Sequence, residues 1–185
     1  MNKQFNKIIR ERRSVFPIQF NGEVINNSII KEIVFNANTA PTHKITQPWL
    51  FKIFSSTSKK SLADEILKLK FGKEIPKNEK EKLRKKFNLT SHIICICLDR
   101  SDENLIPEWE EIAAVSMSVQ NMWLTCTANN LGCYWSSPKI ISKLGSFLNL
   151  RENQKCLGLF YIGKYNELSK RSLNKKDVNE KVEWL

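Results

Sequence analysis

Apolar positions recur at two different periods along this chain, and the changes of period divide it into elements. Over residues 3 to 13, Phe5, Ile8 and Ile9 fall at helical spacing and the segment finishes in Arg-Glu-Arg-Arg-Ser. That pattern predicts a short amphipathic helix with a basic end. Pro17 and Gly22 then break it. With Asn27 or Ser28 as cap, Ile29, Ile30, Ile33, Val34 and Ala37 predict a second helix. It must stop before Pro41, because the residue ahead of a proline is driven out of the helical region. Trp49, Phe51 and Ile53 next alternate with Leu50, Lys52 and Phe54, the period of a strand. Residues 42 to 48, Thr-His-Lys-Ile-Thr-Gln-Pro, therefore connect a helix to a strand.

Ser61 and Asp64 resemble a capping box ahead of a helical run that Gly72 is suited to stop. Residues 73 to 90 are strongly charged and predict a peripheral helix with loops, an exposed insertion. His92 to Leu98 is apolar on both faces, as an interior strand must be. Pro107 suits a first helical turn, Glu108, Glu110 and Glu111 suit its positive end, and Gly132 suits the position after its stop. A helix of about 24 residues, or about 36 Å, follows. Its Trp109, Ile112, Val115, Val119, Met122, Trp123, Cys126 and Leu131 go most of the way round. Such a helix is either central to the core or half of a subunit interface.

A short strand at residues 133 to 137, a Pro-started helix over 138 to 150 and a buried strand over 155 to 163 complete the predicted order. The polar stretch from Lys164 ends in Val182, Trp184 and Leu185, so the tail is expected to be tied down, on this subunit or on another. The sum is an α+β arrangement, helices around one small sheet, in a single domain over residues 1 to 185.

Composition narrows the function classes. Apolar residues make up 41% and charged residues 26%, ordinary values for a folded protein. No apolar run resembles a signal or approaches the length of a bilayer span, so a cytoplasmic protein is expected. Cys95, Cys97, Cys126, Cys133 and Cys156 form neither a CxxC pair nor a cluster with histidine, which predicts buried reduced thiols and no metal site. The net charge of +11 invites nucleic-acid binding. The lysines are scattered among acids, however, so a solvated surface is the stronger expectation and a basic nucleic-acid-binding module the weaker. An anionic small ligand would also benefit from the charge.

No strand leads into GxGxxG or GxxxxGK[ST], and there is no nucleophile elbow. A hydrolase would have to use His43 or His92, of which only His43 falls in a loop. Arg12, Arg13 and Ser14 offer a fork of donors plus a hydroxyl at a helix end, suited to a phosphate, although a basic helix C-terminus reads the same way.

Four segments taken together go further: Arg-Arg-Ser near the N-terminus, APTHKITQPW after the second helix, the long WEEIAAVSMSVQNMWLTCTANNLGCYW segment, and GLFYIGKY near the end. In order and spacing they resemble the FMN-dependent nitroreductase family, in particular small nitroreductases with an APxHK...QPW loop and a Trp-x-Ser segment after the central helix. The likeness spans essentially the whole chain.

It implies an α/β sandwich with a small mixed sheet, and an intertwined homodimer with the long central helix at the interface. Two FMN molecules would lie in that interface, NADH or NADPH would be co-substrate, and a nitroaromatic or quinone-like molecule the acceptor. By the same resemblance Arg12, Arg13 and Ser14 hold the phosphate and ribityl region, with Lys170 or Arg171 as further candidates. Pro41, Thr42 and His43 reach the ring edge from the partner subunit. Trp135, Ser136 and Ser137 lie along the ring, and the tail from about 164 to 185 embraces the other subunit. Phe16 stands where many relatives carry a basic residue, which leaves His43 or Lys44 to supply that charge. Hydride chemistry belongs to the flavin, so no catalytic side chain is implied. A flavin-binding or flavin-processing protein with little reductase turnover is the alternative within the same fold.

Overall fold

The computed structural model describes residues 3–101, 106–168 and 175–185. Helices α1 (Lys3–Glu11) and α2 (Asn27–Ala37) precede strand β1 (Trp49–Ser55). Helices α3 (Ser56–Phe71) and α4 (Lys77–Leu89) lead to β2 (His92–Asp99), and the long α5 (Glu108–Ala128) to β3 (Gly132–Ser136) and β4 (Gln154–Gly163). The strands lie in the order β1, β2, β4, β3, and every neighbouring pair is antiparallel.

The α+β class holds, but the sheet is antiparallel among the described residues rather than mixed, and the connections explain why. Two helices between β1 and β2 turn the chain back on itself. The single crossing of α5 makes β2 and β3 parallel to each other, but β4 enters between them and pairs antiparallel with both, a split β-α-β unit.

Both faces of this sheet are covered. Ile94, Ile96 and Leu98 of β2 with Phe160 and Ile162 of β4 meet α2 and α5 on one side. Ile93, Cys95 and Cys97 with Leu159 and Tyr161 meet α3, α4 and the turn at Lys139–Leu144 on the other. The two-sided apolar pattern of His92 to Leu98 is thus a consequence of a central position. All five cysteines are buried thiols. Phe87 brings α4 into the core edge to face with Tyr161, so the charged insertion is anchored as well as exposed.

Several local expectations need correction. The cap of α2 is Asn26, whose side chain accepts from the Ser28 N–H. Helix α3 begins at Ser56, ahead of the Ser61 expected from its apolar period; Ser58 Oγ accepts from the Ser55 N–H and donates to the Ser55 carbonyl. The left-handed residue after α5 is Asn130, at φ 54°, and Gly132 opens β3 instead. Gly132 serves packing: a Cβ there would come 2.7 Å from the Phe20 ring. The segment from Pro138 forms only a 3-10 turn over Lys139–Leu144, with Ile141, Leu144 and Leu148 buried at helical spacing. Trp184 is 93% exposed and Leu185 fully so, which removes docking of the chain end on its own subunit.

One charge pair sits deep. Glu111, 1% exposed, accepts from Arg100 Nε at 2.6 Å and from the Ser101 N–H at 3.3 Å. Arg100 also donates to the Ile106 carbonyl, joining the β2 end to the α5 start. Removing one partner of a buried pair strands the other. Glu111→Ala is therefore expected to lower unfolding stability by about 3 kcal/mol or more in urea titration, with Glu111→Gln losing less.

Candidate functional site

The outer edge of β3 is where the first predicted segment comes to rest. The Val15 N–H donates to the Cys133 carbonyl at 3.0 Å, and the Asn21 N–H to the Lys164 carbonyl at 2.9 Å, so residues after α1 run along that edge. Phe20 is the wedge that fixes this path. A Cβ at Gly163 would come 2.4 Å from its ring, so glycines are required where Phe20 crosses the sheet. Arg12, Arg13 and Ser14 are thereby held half-buried beside the start of β3.

The side chains around them form a stack. The Arg12 guanidinium lies 5.0 Å from the Trp123 ring centroid, a cation over an aromatic face. Trp123 meets Phe160 edge to face at 5.6 Å, and Phe160 is the cross-strand neighbour of Trp135. Trp135 in turn lies over Gly158, where a Cβ would come 2.2 Å from its Nε1. The indole N–H groups of Trp123 and Trp135 are buried and meet no acceptor among the described residues. Because the Cys133 carbonyl faces the outer edge, strand alternation turns the backbone N–H of Trp135 to that same edge. Ser136 follows it half-buried, and Ser137 is exposed.

This donor set is two guanidiniums, the hydroxyl of Ser14, and an outward main-chain N–H beside aromatic rings. It suits an anionic group attached to a flat ring with acceptor edges, which is the chemistry of a flavin nucleotide. Cys133, at the base of the stack, is not a thiolate nucleophile there, because burial pushes its pKa well up.

The second predicted segment stands elsewhere. Thr42 Oγ1 lies 3.0 Å from Thr46 Oγ1 and accepts from the Gln47 N–H, while His43 Nδ1 lies 2.5 Å from Glu110 Oε2 in the first turn of α5. Lys44, Ile45 and Gln47 have φ of 50°, 55° and 44°. For non-glycine residues, Ile above all, the left-handed region is costly, and strain of this kind concentrates at functional loops. Pro41 and His43 are exposed.

From Glu110 to Trp123 along α5 is about 20 Å. Within one chain the structure therefore gathers Arg12, Arg13, Ser14, Trp135, Ser136 and Ser137, and leaves Pro41, Thr42 and His43 at the far end of α5. Lys170 and Arg171 lie outside the described residues. Trp123, which pattern alone assigns to the core, is the platform for Arg12; Gly158 and Glu110 carried no signal of their roles. Phe16 is half-exposed against the Tyr134 ring at 4.7 Å. A cavity of about 720 Å³ near Lys59, Lys60 and Arg84 opens between α3 and α4 on the other face of the sheet, away from both segments.

Fold and edge together define a class: α+β proteins with a helix-framed antiparallel sheet and a cluster of basic and aromatic side chains at one sheet edge. The chain belongs to the nitroreductase family, whose profile matches residues 9–164. YfhC of Bacillus subtilis (strain 168), which its name places provisionally among the NAD(P)H nitroreductases, is 27% identical over 160 residues, covering 84% of this chain and 81% of its own. The fold is shared with a nitroreductase-like family protein from Bacillus cereus, at a TM-score of 0.87 and 24% identity, over 100% of this chain and 97% of that one. It is also shared with an FMN-bound nitroreductase from Bacteroides fragilis, at 0.69 and 18% identity, over 95% and 96%.

Gly158→Ala tests the stack. Its Cβ has no room beside Trp135, so a loss of about 1–3 kcal/mol in stability is expected, with a changed near-ultraviolet dichroism from the displaced indole. Unchanged spectra and stability would show that Trp135 does not depend on this contact.

Proposed function

We propose that this protein is an FMN-dependent oxidoreductase, using NADH or NADPH to reduce a small acceptor of the nitroaromatic or quinone type, and that it works as a homodimer in the cytoplasm. The observation that carries the reading is the cluster of basic and aromatic side chains at the β3 edge, Arg12 stacked on Trp123 beside Trp135, in a chain of nitroreductase fold. When bound, FMN would supply the hydride chemistry between the nicotinamide and the acceptor, in alternating half-reactions.

The residues of this chain do the rest. Arg12 and Arg13, with the Ser14 hydroxyl, hold the phosphate end by charge-assisted hydrogen bonds. Trp135 and the serines after it line the ring and present a main-chain donor to its edge. Lys44 brings positive charge from the second copy, with His43 held beside it by Glu110, in place of the basic side chain absent at Phe16. The distance along α5 between the two segments supports this cross-subunit construction. So do the apolar side chains that one copy leaves open: Phe5 and Ile9 on α1, Trp109 and Met117 on α5, and Trp184 in the tail. A second copy would cover them, with the tail from about residue 164 reaching across. Buried reduced thiols suit the cytoplasm, and among the described residues no helix is long and apolar enough to cross a membrane.

The test is the visible spectrum of the purified protein before and after anaerobic NADH or NADPH. Bound flavin that bleaches supports the reductase; flavin that binds without bleaching supports a flavin-binding protein; failure to take up FMN at all removes both. Arg12→Ala with Arg13→Ala is expected to weaken FMN binding by about tenfold or more, each charged hydrogen bond contributing about 1.5–3 kcal/mol. Mixing that variant with His43→Ala/Lys44→Ala chains checks the dimer. If each site draws on two copies, mixed dimers hold one intact site and regain flavin binding; if each site lies within one chain, mixing restores nothing.

A further inference from the structure

On the sheet face opposite the aromatic stack, α3, α4 and the turn after Pro138 enclose a cavity of about 450 Å³, within the size range of small-molecule sites. Its walls are aliphatic: Leu69, Leu83 and Ile140, each half-buried, with Leu159 as floor. Free aromatic surface is limited, because its two rings are each covered by an ammonium: Tyr161 by Lys86, 4.1 Å from its centroid, and Phe71 by Lys70, at 4.6 Å. The charges are lopsided. Four lysines, Lys70, Lys86, Lys139 and Lys143, line the cavity against one carboxylate, Glu79, and that carboxylate is engaged by Lys70 at 2.8 Å. Lys139 and Lys143 are exposed at the rim, whereas Lys86 is drawn inward.

Lys86 is the anomaly. Among the described residues its ammonium meets a ring face and no carboxylate, and burial alone lowers its pKa, to about 8. A desolvated ammonium beside aliphatic walls is stabilised by an anion that brings its own apolar body.

We propose that this cavity is a binding site for an alkyl carboxylate, its carboxylate paired with the Lys86 ammonium and its chain laid between Leu69, Leu83 and Ile140. The aliphatic walls favour an alkyl over an aryl body, and the single inward ammonium favours a monoanion over a phosphate. The site shares no side chain with the β3 edge and does not depend on the flavin reading.

Calorimetric titration of the full chain with decanoate tests it, with 1-decanol as the uncharged counterpart. One decanoate per chain is expected to bind at pH 7, with decanol about tenfold weaker. Lys86→Met, which keeps the stem and removes the charge, is expected to weaken decanoate by about tenfold. Wild-type affinity should fall as pH rises through 8 and Lys86 loses its proton, and this dependence should vanish in Lys86→Met. Lys60→Met, in the other cavity, removes the same net charge and should change nothing. If Lys86→Met folds poorly, Ile140→Glu places a carboxylate in the wall and should abolish binding by repulsion. Equal binding of decanoate and decanol, unchanged affinity in Lys86→Met or Ile140→Glu, or an equal loss in Lys60→Met would each overturn the assignment.

Discussion

The insertion of β4 between β2 and β3 is the constraint on which the rest of this structure depends. Paired on both edges and covered on both faces, β4 is apolar on each side, and its Phe160 and Leu159 look to opposite layers. One layer is then free to be built from α2 and α5, the other from α3, α4 and the Lys139–Leu144 turn. Side chains on the two faces serve different ends: Phe160 aligns Trp123 and Trp135, while Leu159 and Tyr161 floor a separate cavity.

The same insertion sets the distance between the Arg12 stack and the His43 loop. Helix α5 crosses from β2 to β3 over a strand it does not connect, and its two ends hold different groups. Glu110 near its start holds His43, and Trp123 near its end carries Arg12. A helix of this rigidity cannot bring its ends together, so within one chain the His43 loop and the Arg12 stack stay about 20 Å apart along it. Phe5 and Ile9 on α1 and Trp109 and Met117 on α5 stay exposed in the single chain.

Polar groups within the fold follow the same economy. Glu111 is buried only because Arg100 and the Ser101 N–H satisfy it. Lys59 reaches the carbonyls of Phe87 and Thr90, satisfying backbone acceptors at the end of α4. The strained turn at Lys44 and Ile45 survives because Thr42, Thr46 and Glu110 hold its polar atoms from three sides. Backbone strain needs such over-determination to persist.

The sequence by itself determined the elements and their kind. Periodicity located α2, β1, the two-sided β2 and the long α5, and the order of the Arg-Arg-Ser, APxHK...QPW and Trp-x-Ser segments pointed to the nitroreductase family. It misplaced the starts of α2 and α3 and the stop of α5. Helix ends such as Asn26, Ser55 and the left-handed Asn130 are chosen by local hydrogen bonds and dihedral angles, which apolar period does not record. Only the tertiary structure decided that the sheet is antiparallel throughout its described strands, that Gly132, Gly158 and Gly163 are gaps for aromatic rings, and that Trp123 is a platform for Arg12. Those are contacts between residues far apart in the chain, and pattern read along one dimension carries the face a residue belongs to but not the partner it meets there.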